Sequence, residues 1–368
     1  MPLADSIEEA ERLMVICNAC RYCEGHCAVF PAMERRLAFP AQDLRYLANL
    51  CHGCGSCFHH CQYAPPHEFD VNVPRVFAAL RRETYRRYAW PAFLGGLFAR
   101  NGLATGLVTA AACAIFVIAG VALGGPAVMR AHVGPGAFYE VVPHGSMMAL
   151  FGAAFAYALV ALGVACRRFW RDAGEPGQRI VAAMIARAGA DAATLHYLDG
   201  GGDGCTYPGE EPAMGRRLFH HLTFYGYLLC FVATCVAALH DWSGSPAPFA
   251  WWSLPVVLGA VGGIGIGVGT IGLLVLKGRS DRVPYPRHGM DVSFLVLLLL
   301  TAATGFSVLF LRETPAMGLL LLVHLGVVMG LFLTMPYGKL VHGIHRYAAL
   351  VRYAIERSRP PPAAAPDA

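Results

Sequence analysis

Charge is scarce in this chain. Only 14% of its 368 residues are Asp, Glu, Lys or Arg, while 56% are hydrophobic, a ratio that excludes an ordinary soluble protein. Lysine is almost missing: Lys277 and Lys339 are the only two, and we read the preference for arginine as composition bias. A formal charge of +5 is weak ground for a nucleic-acid partner, and none is expected. The opening MPLADSIEEAERLM lacks the basic stretch and following apolar run of a secretory signal. The N-terminal part is therefore expected in the cytoplasm, where thiols stay reduced and serve metals or redox chemistry in preference to disulfides. A nucleotide site is missing too. GGIGIGVG (262–269) mimics a dinucleotide-binding pattern, but it lies in an apolar run with no strand before it, so close helix packing is the better account.

Long apolar runs are plentiful. Six are long enough to cross ~30 Å of hydrocarbon: Gly102–Leu123, Met147–Cys166, His220–His240, Trp251–Leu276, Asp291–Leu311 and Met317–Val341. Arginines and lysines crowd the segments before the first span, between the second and third, between the fourth and fifth, and after the sixth. Positive loops stay inside, so both termini are expected on the cytoplasmic face of a bacterial inner membrane. The expected division is a cysteine-rich head over 1–90, a six-span membrane domain over 91–358 with a cytoplasmic loop at 167–219, and a disordered low-complexity tail at 359–368.

The thiols concentrate at the amino end. CNACRYCEGHC (Cys17–Cys27) and CHGCGSCFHHC (Cys51–Cys61) share the spacing C-x2-C-x2-C-x3-C. That spacing suits two [4Fe-4S] clusters, three thiolates of one run joining the last thiolate of the other. One ligand set is then Cys17, Cys20, Cys23 and Cys61, and the other Cys51, Cys54, Cys57 and Cys27. Structural zinc is the alternative, but it pairs two short C-x2–4-C units and does not repeat a three-plus-one run. Proline follows the runs at Pro31 and Pro65 and not immediately after them. Helical spacing of apolar residues before each run predicts an α-helical frame. In this the head resembles the α-helical ferredoxin domain of fumarate reductase and succinate dehydrogenase iron-sulfur subunits.

Histidines in apolar spans are costly and mark function. His324 and His342 frame the last span eighteen residues apart, five turns of a straight helix, which would set them on one face ~27 Å apart. His220 and His221 open the third span on the side to which His342 returns. A bis-histidine haem b could join the two helices, with His221 and His342 as the first choice and His220 and His345 as alternates. A second haem at His324 would need His240 or His144; the alternative for His324 is a hydrogen bond to a neighbouring helix or a quinone. His52, His59, His60 and His67 fit donors or surface groups near the clusters.

MPYGKLVH and LFHHLTFYGY resemble the haem-bearing helices of respiratory nitrate reductase gamma subunits. That family carries a further histidine where Cys230 and Phe231 stand here, which weighs against a second haem. More broadly, LANLCHGCGSCFHHCQYAPPHEF (47–69), YLDGGGDGCTYPGEE (197–211) and RRLFHHLTFYGYLLCF (216–231) resemble the tricarballylate/citrate utilisation protein B family over nearly the full chain. The resemblance implies an all-α protein: a ferredoxin-like head with two [4Fe-4S] clusters, then a six-helix haem b bundle. It implies an electron-transfer role, reoxidising an FAD-dependent tricarballylate dehydrogenase-like flavoprotein and passing electrons to membrane quinone. The loop at 167–219, with Asp203 and Cys205 in its glycine-rich centre, is the candidate docking or cluster-covering surface. Competing roles are a membrane redox sensor, for which no output domain is visible, and a carboxylate transporter, although the first, second and fourth spans hold no Asp, Glu, Lys or Arg.

Overall fold

A computed structural model of the chain describes residues 3–174, 180–284 and 289–359. Beyond Arg359 the expected disordered tail lies outside the described residues. The head uses α1 (Leu3–Cys20), α2 (Val29–Met33), α3 (Ala41–Leu50), α4 (Ser56–His59) and α5 (Val73–Tyr88). A short α6 (Ala92–Leu97) leads to α7 (Asn101–Gly124), α8 (Ala137–Val141), α9 (His144–Ala173), α10 (Ala182–Ala193) and α11 (Gly215–Trp242). Then come α12 (Leu254–Arg279), α13 (Gly289–Leu311), α14 (Met317–Thr334) and α15 (Val341–Arg357). The described residues contain no strand, only one isolated bridge between Cys205 and Ala213. Six helices, α9, α11, α12, α13, α14 and the stretch holding α7, are long and apolar enough to cross a membrane, compatible with a multi-pass membrane protein.

In the head, α3 buries Leu44, Tyr46, Leu47 and Leu50, a helical stripe that packs on Leu13 and Met14 of α1 and on Phe77 and Leu80 of α5. Asn72 starts α5 by accepting from the Arg75 N–H at 3.1 Å, and Pro74 in the first turn gives up a donor that would have gone unused. Between spans the contacts run through small residues, because lipid-soluble helices gain from close backbone approach. A Cβ on Gly226 of α11 would stand 2.7 Å from the Gly262 carbonyl oxygen of α12, and one on Gly326 of α14 would stand 2.5 Å from Cys113 Cα of α7. GGIGIGVG is thus the seam between α11 and α12.

The final span differs from expectation. It ends at Thr334, and residues 335–340 form turns before α15 begins at Val341. Pro336 has no N–H to donate to the Phe332 carbonyl, and past it the chain tightens into turns in which the Thr334 carbonyl accepts from Gly338 at 2.8 Å and Tyr337 at 3.1 Å. His324 and His342 therefore sit on two helices and not on one straight rod. α15 turns back on the head, packing against α3, α5, α9 and α10.

Two groups of charge fix that return. At the membrane end of the head, Asp291 at the start of α13 takes Lys277 of α12 at 2.7 Å and Lys339 of the turn at 2.8 Å. These are the chain's two lysines. Farther up, Glu356 of α15 pairs with Arg36 and with Arg352 at 3.0 Å, and accepts from the Tyr46 hydroxyl at 3.0 Å; Asp43 takes Arg352 at 2.6 Å and Arg36 at 3.3 Å. Both guanidiniums lie over the Tyr46 ring, at 4.1 and 4.9 Å from its centre. Glu356→Leu leaves two buried guanidiniums with one carboxylate, and should lower stability by about 3–5 kcal/mol. The unfolding midpoint of the purified variant in detergent measures this, and a midpoint equal to that of the parent would show the network to be idle.

Candidate functional site

The two cysteine runs leave their helices differently. Cys17 and Cys20 ride the last turn of α1, while Cys51 closes α3 in extended backbone and Cys57 lies in the one-turn α4. The interleaving brings Cys17, Cys20, Cys23 and Cys61 around one cavity of about 260 Å³, with Cys57 on its edge. Burial pushes the Cys17 thiol up to about 12, reinforced by Cys23, Cys61 and Cys20 in that order. Cys27 faces the other way: burial raises its thiol well above the ordinary range, and the neighbours that add to this are Cys54, then Cys51. Cys57 is raised in the same way by burial, then by Cys54, Cys51 and Cys27.

Thiolates crowded in low dielectric cannot persist without a cationic centre, which is the donor chemistry of a thiolate-bound metal group. Among the described residues, no three His, Cys, Asp or Glu side chains converge closely enough to hold a single metal ion. Four thiols around an open cavity suit a polynuclear cluster better than one zinc ion. Gly53 N–H points at Cys51 Sγ at 3.3 Å, a contact of the kind that tunes such a group.

The long loop lies over these runs. Cys205, fully buried, donates to the Cys54 carbonyl at 2.9 Å, and Thr206 donates to the same oxygen at 3.4 Å. Gly201, at φ +92°, leaves room where a Cβ would stand 2.9 Å from the Gly25 carbonyl oxygen. The loop therefore covers both cysteine runs. His60 bonds the Ser56 carbonyl at 2.8 Å and stacks with His26 at 5.1 Å; His52 is buried with Nδ1 at 3.0 Å from the Leu50 carbonyl.

Three guanidiniums from three helices grip the second run. Arg346 of α15 donates to the Cys51 carbonyl at 2.9 Å, Arg81 of α5 donates to it at 3.3 Å, and Arg216 of α11 donates to the Gly53 carbonyl and, at 3.3 Å, to that of His52. Positions i and i+4 share a helix face. One turn below Arg216 is His220, and one turn before Arg346 is His342.

Those two imidazoles meet. The rings of His220 and His342 have centres 6.1 Å apart at 76°. Imidazoles on opposite sides of one metal, each with a ~2 Å bond, have centres roughly 6 Å apart. His342 bonds the Lys339 carbonyl through Nδ1, which leaves Nε2 available as a ligand, and Nδ1 of His220 is buried without a protein hydrogen bond. The residues present therefore fit a bis-imidazole group. Consecutive residues on a helix diverge by about 100°, so His221 turns away to stack on Tyr225. The first-choice pair His221–His342 is not the pair the fold brings together; His220–His342 is.

His345 is fully buried between Phe169, at 5.0 Å, and Tyr85, at 5.5 Å. Burial holds it down to about 3, a neutral imidazole even with the Ala165 backbone favouring the charged form. His324 bonds Thr304 at 2.8 Å through Nδ1. Its expected partners are engaged elsewhere: His240 stacks on Phe249 at 5.7 Å, and His144 pairs with Asp241 at 2.6 Å. No second histidine pair forms there. Sequence reasoning missed Arg216 and Arg346 as site residues, though their four-residue offset from His220 and His342 was the available signal.

Comparison with known proteins follows this geometry. A family model described as "Citrate utilization protein B" matches residues 98–363, and one described as "Citrate utilization protein B Fer4-like domain" matches residues 10–87. The chain is 47% identical over 365 residues to "Citrate utilization protein B" of Escherichia coli, covering 97% of this chain and 94% of that protein. No solved structure matches it. With a Fer4-like head, six apolar helices and a relative aligned almost end to end, the chain belongs to the citrate utilization protein B family.

Proposed function

We propose that the chain is a membrane electron-transfer protein in citrate or tricarballylate utilisation, which reoxidises a partner FAD-dependent dehydrogenase of the tricarballylate dehydrogenase type and delivers the electrons to quinone. The observation that carries this is the shared face of α11 and α15, where Arg216 and Arg346 hold the Cys51–Gly53 backbone and His220 and His342 face each other one turn away. Two [4Fe-4S] clusters on the eight cysteines and haem b on the imidazole pair would supply one-electron redox chemistry between a two-electron donor and a lipid-soluble acceptor.

The chain's own residues make that exchange possible. Cys205, Thr206 and the glycine loop exclude water from the second cysteine run, and the three guanidiniums lock its backbone against the bundle. Positive charge beside it favours an electron-rich group. Carboxylate transport would call for charge at mid-membrane, whereas the half-buried Lys277–Asp291–Lys339 cluster sits at the head end. The cytoplasmic placement of the head follows from the arginine-rich loops on its side.

Anaerobically purified protein should contain about nine iron per chain, about eight in clusters and one in haem, and about eight acid-labile sulfide. One zinc per cysteine run would overturn the cluster assignment. Dithionite should bring up b-type haem bands that His220→Ala and His342→Ala each abolish and His221→Ala retains. Full bands in either of the first two variants would reject the pair. In vesicles with a reduced partner flavoprotein and added quinone, Cys51→Ser should cut flavin reoxidation at least tenfold; parent-like rates would dismiss the relay.

A further inference from the structure

We propose that an isoprenoid quinone binds in the cleft between α5 and the head-side start of α7, a placement that rests on the electron-transfer reading above. The cleft encloses about 670 Å³, within the ~300–1,000 Å³ range of small-molecule sites. Its walls come from α5, from the turn after α6, and from Gly102 and Gly289 at the head-side ends of two spans.

The mouth is built for a lipid-borne ligand. Leu103 on α7 lines the cleft and is 58% exposed, and α6, just before α7 in the chain, exposes Leu97 and Phe93 at 64% and 74%. An isoprenoid tail can leave the cleft there without crossing polar surface. The α5 wall is polar. Arg82 and Tyr85 line it, with a guanidinium and a phenol of the kind that donate to quinone carbonyl oxygens.

The same helix turn faces the cysteine run. Arg81, adjacent to Arg82, donates to the carbonyls of Ala48 at 3.0 Å and Cys51 at 3.3 Å. Tyr85, one turn on, is buried. The cleft therefore lies across a single helix from a proposed cluster ligand. A second cavity of about 100 Å³ shares Arg82, Tyr85 and Met290 with the cleft and reaches Lys277 and Asp291, a polar route toward water on the head side. Reduction there consumes two electrons, released by oxidation of the partner's reduced flavin, and two protons from that water. Both quinone carbonyls become hydroxyls, and the quinol leaves through the mouth.

Arg86 and Arg100 also line the cleft and would suit an anionic phospholipid. Contiguity with the Cys51 run favours the quinone, since a structural lipid has no need of that position.

A photoreactive azidoquinone added to the full-length protein in nanodiscs tests this. Crosslinks are expected within residues 79–103, competed by unlabelled quinone. Ala99→Trp, at an exposed position on the cleft wall, should reduce labelling at least tenfold and raise the apparent KM for quinone by a similar factor, and Arg82→Gln should do the same with parent-like iron content reporting an intact head. Labelling near His324, or labelling displaced by phosphatidylglycerol and not by quinone, overturns the site while the relay stands. Protein without iron and b-type bands would instead defeat the electron-transfer reading itself.

Discussion

The architecture depends on one buried network, in which Glu356 and Asp43 neutralise Arg36 and Arg352 around the ring of Tyr46. Three of these residues belong to the head and two to the last helix, so the network clamps the two ends of the chain together. Every functional distance between head and bundle inherits that clamp. It works with the packing of α15 on α3, α5, α9 and α10 to hold Arg346 against the Cys51 carbonyl and His342 beside α11. Desolvating four charges is expensive, and the return is specificity of docking more than stability, since a well-packed apolar cluster of the same volume could have held the helices as tightly.

The interruption after Thr334 is what makes the clamp possible. A span continued straight through Pro336 would carry His342 away from α3 and leave Asp291 without Lys339. Broken there, the chain spends its two lysines on one carboxylate at the junction and sends α15 across the head. The bundle behind is held by glycine contacts between α11 and α12 and between α7 and α14. These let backbones approach closely in lipid, where apolar surface alone gives helices no reason to associate.

Much of this was legible in the residues. The doubled C-x2-C-x2-C-x3-C spacing and the six apolar runs mark the head and the spans because both are local patterns, set by what a compact thiolate site and a bilayer require. The all-helical class followed from them. What stayed hidden depends on rotation and on contacts distant in sequence. His220 and His221 are equivalent in a list of residues, and only the roll of α11, set by Gly226 against Gly262, decides which meets His342. The straight path from His324 to His342 ignored Pro336, whose effect was readable. Arg216 and Arg346 passed as loop charge because positive-inside counting discards position on a helix face, the property that makes them site residues.

The chain's order of synthesis gives the clamp a temporal meaning. Among the described residues α15 is translated after every other helix, yet Arg352 and Glu356 on it close the core of the head. The head therefore cannot reach its final packing until a helix 309 positions downstream of Asp43 has docked on it.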